Sequence, residues 1–130
     1  MSAADTNVLI RILTEDDANQ SRTAKEFLQR QEVVFIPKTV LLEVEWVLRS
    51  SYGFDRPSVL SGLRSLLRAP NVQLEHSDAV HKTLDWYERG MDFADALHLA
   101  SAGDDVEFAT VDRSLATTAH RLGIGRVVAL

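Results

Sequence analysis

Short apolar runs alternate with amphipathic stretches of helical period along the chain, and this alternation restricts the fold more than any other feature. "VVFIP", ended by Pro37, is one such run, "NVQLEH" and "VEFATVD" are of the same kind, and "RVVAL" comes last. A strand buried on both faces reads as a near-continuous apolar run, whereas a helix lying on a sheet is apolar along one stripe only. Strands and helices taken in turn predict a parallel sheet covered by helices. The expected fold class is therefore α/β, a three-layer α/β/α sandwich with a short, mainly parallel central sheet.

The local signals set the expected boundaries. "MSAADTN" reads as a very short strand ending near Asp5, with a helix starting at Thr6 or Asn7, both competent caps. "EDDANQSRTAKEFLQRQ" has Ala24, Phe27 and Leu28 on one side and Arg22, Lys25, Glu26 and Gln29 on the other. A helix from Thr39 is expected to end at a Gly53 cap, and another carries Pro57 near its first turn and is closed by Pro70. Further helices are predicted from Ser77 or Asp78 to Gly90, in "DFADALHLASAG" as far as Gly103, and in "RSLATTAHRLG".

At 130 residues the chain is expected to form one domain over residues 1–130. It has no cysteine, which excludes disulfides, thiolate zinc sites and a cysteine nucleophile. Its net charge of −5 argues against holding nucleic acid through a broad basic surface, yet suits an enzyme whose acids gather at metal ions. Neither a secretory leader nor a membrane span is expected, and a cytoplasmic setting is.

In sheets of this kind, sites form beyond the carboxyl ends of the strands. Asp5 and Asp112 both stand where a strand should end, and each could equally cap the helix that follows. Glu43, with Val40, Trp46 and Val47 one turn away, is expected on an apolar helical stripe, and Glu45 toward polar surroundings. Asp92 and Asp95 share a face at the start of a helix, with His98 a turn further on; the plain alternative is that they complement the helix dipole. Such a set of carboxylates selects the hard cations Mg²⁺ or Mn²⁺ over zinc and points to phosphodiester hydrolysis.

Other signals lead elsewhere or nowhere. His76, His81, His98 and His120 follow no zinc spacing, and neither a nucleophile elbow nor a phosphate-binding loop pattern occurs. Trp46, Trp86 and Tyr87 could stack on bases, but their interleaving with Val44, Val47 and Leu84 favours packing in a core or an interface.

The motifs "DTNVLIRIL", "PKTVLLEVEWVLRSSYGF", "DFADALHLA" and "FATVDRSLA", in that order, closely resemble the PIN-domain family, specifically its VapC-type toxins. The resemblance covers nearly the whole chain and implies a PIN-like fold. It implies an endoribonuclease that uses Mg²⁺ or Mn²⁺ held by Asp5, Glu43, Asp95 and Asp112, with Asp92 accompanying the third acid and Thr6, Asn7 and Thr110 in support. It also implies an RNA substrate, a VapB-like antitoxin, a homodimer and a higher toxin–antitoxin complex, with no membrane. A non-toxin PIN nuclease of RNA processing and a catalytically silent binding module are the alternatives.

Overall fold

The computed structural model describes residues Met1–Leu130, and the chain divides into two compact units, Met1–Glu75 and His76–Leu130. The first unit runs β1 (Ser2–Ala3), α1 (Thr6–Thr14), α2 (Ala18–Arg30), β2 (Val34–Ile36), α3 (Lys38–Ser50), α4 (Arg56–Leu67) and β3 (Val72–Leu74). Its strands form one parallel sheet in the order β1-β2-β3. Ser2 is opposite Val34, and Val34, Phe35 and Ile36 are opposite Val72, Gln73 and Leu74. A helix pair fills each crossover, as parallel neighbours require.

The expected first strand is present but only two residues long, in keeping with the small, weakly apolar residues that precede Asp5. β2 is the central strand, and Val34 and Ile36 are completely buried. Burying an aliphatic side chain of this size contributes roughly 1.5–3 kcal/mol. Leu9 and Ile10 of α1, Leu41, Val44 and Leu48 of α3, and Val59 and Leu63 of α4 complete the inner surface of the unit. α1 packs on both α2 and α3. Asn71 secures the entry to β3 by donating from Nδ2 to the Leu28 and Gln31 carbonyls at 2.7 and 2.9 Å.

The helix expected from Thr6 or Asn7 does start at Thr6, but its cap is Asp5 and not Thr6 or Asn7, because the extended Asp5 backbone lets Oδ1 reach the Thr6 amide at 2.8 Å, the plain reading left open for that acid. α3 ends at Ser50, and Gly53 lies beyond it in the turn at φ +69°, a conformation that suits a residue without Cβ. The Pro57 expectation holds: Asp55 caps α4 and Pro57 lies in its first turn.

The second unit contains α5 (Ser77–Glu88), α6 (Phe93–Ala102), β4 (Phe108–Thr110), α7 (Arg113–Arg121) and β5 (Val127–Ala129). β4 and β5 are parallel, with Phe108, Ala109 and Thr110 opposite Val127, Val128 and Ala129. Met91, Ala96, Leu99, Leu115, Ala119 and Val127 form its core, with Trp86 and Phe108 packed against them. α5 and α6 lie together, and the Tyr87 and Phe93 rings meet edge to face at 5.3 Å. Between them Gly90 takes φ +108°, and a Cβ there would stand 3.1 Å from Nη2 of Arg121, so both backbone and space favour glycine.

Candidate active site

Asp5, Asp92, Asp95 and Asp112 owe their positions to a strand end or a helix start, and Glu43 lies midway along α3. Asp5 follows β1, and Asp112 follows β4 at the same relative place in the second unit. The Asp112 carboxylate accepts from the Ser114 and Leu115 amides through Oδ1, at 2.9 and 3.2 Å. Its own amide donates to Thr110 Oγ1 at 3.0 Å, so the hydroxyl that ends β4 fixes the turn that presents the acid. Asp92 caps α6 by accepting from the Asp95 amide at 3.1 Å. Asp5, Asp92 and Asp112 thus each cap a helix through one carboxylate oxygen, the role left open in the sequence for Asp5 and Asp112. The second oxygen of each makes no hydrogen bond, and none of the three has an ion pair.

Asp92 and Asp112 both act on Asp95 within the second unit. Partial burial raises the Asp95 carboxyl above the ordinary aspartate range, and repulsion from Asp92 and then Asp112 adds to the rise, while His98 offsets some of it. No lysine or arginine neutralises Asp95. Like charges gathered without a neutralising lysine or arginine are unfavourable in the resting protein.

On α3 the structure reverses the expected faces. Leu41, Val44, Glu45 and Leu48 point inward, and Glu43 is exposed. Glu45 is 2% exposed and accepts from Arg49 Nε at 2.9 Å one turn along. A buried carboxylate needs such a partner, and Arg49 reaches it from the surface. Glu43 has no hydrogen bond or ion pair, so its carboxylate is open to ligands. Trp46 is likewise 56% exposed and so stands outside the core, one of the two settings expected of it, whereas Trp86 and Tyr87 do pack.

Asp5 and Glu43 belong to the first unit, and Asp92, Asp95, Thr110 and Asp112 to the second. Thr6 is buried behind Asp5, and Asn7 is exposed beside the shallow α1–α2 groove that Val8 and Phe27 line. The acids offer only hard oxygen donors, which suit Mg²⁺ or Mn²⁺. As positioned, no three His, Asp or Glu side chains stand close enough to share an ion. No helix is long and apolar enough to cross a membrane.

A PIN domain family model matches residues 3–127. The chain belongs to the PIN-domain family. Among solved structures it is similar to the Mycobacterium tuberculosis toxin VapC20, described as a sarcin-ricin loop cleaving toxin. The two are 20% identical with a TM-score of 0.46, over 90% of this chain and 94% of that one. No curated protein matches the sequence.

Proposed function

We propose that this PIN-domain protein is a divalent-cation-dependent endoribonuclease of the VapC toxin type, restrained by a VapB-like antitoxin. The observation that carries the reading is the set of acids with open oxygens: Asp5 and Asp112 after strand ends, Glu43 exposed on α3, and Asp95 raised by burial and then by Asp92 and Asp112. Asp5, Glu43, Asp95 and Asp112 would hold Mg²⁺ or Mn²⁺, with Asp92 as a further acid beside Asp95.

The cation, when bound, supplies positive charge that polarises the phosphodiester and lowers the cost of deprotonating water. The capped Asp5 and Asp112 present their open oxygens from turns held by backbone amides, which limits reorganisation on binding. Thr110 keeps Asp112 in place, and Thr6 and Asn7 open α1 directly after Asp5, with the Thr6 amide holding its carboxylate. Water oxygen adds to phosphorus as the bond to the ribose 3′ oxygen breaks, and that oxygen takes up a proton. The products are a 5′-phosphate and a 3′-hydroxyl.

The test is cleavage of total cellular RNA by the purified protein with Mg²⁺, with Mn²⁺ and with excess chelator, followed by chemical analysis of the ends. Cleavage that needs the cation, leaves these ends and is lost in Glu43→Gln supports the reading. A 2′,3′-cyclic phosphate, or full activity in chelator, refutes it. Co-purification with the product of an adjacent short reading frame, and suppression of cleavage by it, tests the antitoxin. Light scattering of the free protein and of that complex tests the homodimer and the larger assembly.

A further inference from the structure

We propose that Trp46 is a base-stacking residue, a platform on which one nucleotide of single-stranded RNA rests beside Glu43. The inference rests on the ribonuclease reading above and adds to it the form of RNA the site takes. Trp46 is the only exposed residue among the phenylalanine, tyrosine and tryptophan side chains. Its spacing of three residues from Glu43 places both on the same side of α3, about 5–6 Å apart at Cβ. The inward side is filled by Leu41, Val44, Glu45 and Leu48, so the indole is not needed to close the core.

The company that Trp46 keeps decides what covers it. Thr39, Glu43, Arg49 and Ser50 share the outward arc and are all exposed. The core of a subunit interface is depleted of charge and built from contiguous apolar side chains, whereas here a carboxylate and a guanidinium lie within a turn on either side of the indole. A nucleobase asks for less: one π face to stack on, with polar groups around it to meet ribose and phosphate. Arg49 stays near its place through Glu45 and carries positive charge one turn past the indole. The remaining large exposed apolar residues, Met1, Val106, Val111 and Leu130, have no ring to stack with. A duplex keeps its bases stacked on one another, so such a platform selects unpaired RNA.

The test uses the full chain and a short mixed-sequence oligoribonucleotide with metal withheld, so that binding is read without cleavage. In Trp86→Phe, which retains only the indole at position 46, the single strand should quench tryptophan emission and the same sequence annealed as a duplex should not. Trp46→Phe, which retains only Trp86, should show little quenching. In cleavage kinetics with Mg²⁺, Trp46→Ala should raise KM roughly 5- to 100-fold with kcat within about twofold, and Trp46→Phe should recover most of the loss. An unchanged melting temperature in Trp46→Ala would show that the fold is intact. Unaltered KM in Trp46→Ala overturns the proposal, as does binding of the single strand without quenching. Conversion of a dimer to a monomer by Trp46→Ala, with KM restored at high protein concentration, also overturns it and makes Trp46 an interface residue. A wild-type protein that quenches with single strands but cleaves nothing would remove the nuclease reading and leave the platform standing.

Discussion

At the scale of single residues, two carboxylates two positions apart on α3 meet opposite surroundings, Glu45 buried against Arg49 and Glu43 exposed. Val40, Leu41, Leu42, Val44, Trp46, Val47 and Leu48 leave hardly a polar gap, so two opposite stripes look equally apolar. The buried carboxylate resolves the ambiguity, because only Glu45 has an arginine one turn on to receive it. Glu45→Ala should therefore cost about 1–3 kcal/mol, whereas Glu43→Gln should change stability by less than about 0.5 kcal/mol while abolishing cleavage. Urea denaturation of both variants distinguishes the two carboxylates, and the opposite order of stabilities would reverse the facing of α3. Asp95 makes a pH-dependent prediction. Its folded-state carboxyl is raised by burial and by Asp92 and Asp112, so its contribution to stability is fully present below the ordinary aspartate range and is lost as pH rises through the raised value. In chelator, Asp95→Asn should melt above wild type at neutral pH, with the gap closing on acidification. A gap independent of pH would show that like-charge repulsion at Asp95 is negligible.

At the scale of elements, the order of strands and helices was legible because their periods differ, and Pro37, Pro57 and Gly90 punctuate them where expected. Less legible was the double use of the aspartates. Nothing in this sequence separates an acid that begins a helix from one that binds a ligand, since a short carboxylate just before a helical stretch serves either. Here Asp5, Asp92 and Asp112 begin α1, α6 and α7. The two uses can be separated chemically at Asp112. Asp112→Asn retains an oxygen for the Ser114 and Leu115 amides and should lie within a few tenths of a kcal/mol of wild type, whereas Asp112→Ala should lose about 1 kcal/mol. Both should fail to cleave RNA. Calorimetry beside the cleavage assay provides the comparison, and an active Asp112→Asn would reduce that residue to a cap.

At the scale of the whole molecule, the family match runs across both compact units, and the proposed metal ligands are drawn from both. Ligands that act together give non-additive effects when removed. A cation that binds only the folded chain raises its melting temperature by mass action. Asp5→Asn from the first unit and Asp95→Asn from the second should each remove most of the rise produced by Mg²⁺ or Mn²⁺, and the double variant should lose little more than either. Thermal melts of the four proteins with and without metal decide it. Two half-sized losses that sum in the double variant would mean independent sites, and the quartet would not act as one.

The placing of the acids at helix starts also bears on how such a gene decays. If the product harms the cell that makes it, substitutions that silence it spread whenever its restraint fails. On the reading proposed above, losing Glu43 would leave a protein that still folds, accumulates and occupies its partners. Losing Asp112 to a side chain without an oxygen would remove the cap of α7 at the same stroke, and the product would be thinned by proteolysis as well as disarmed. Silent but persistent copies should therefore carry their lesions on α3, and vanished ones at the strand ends.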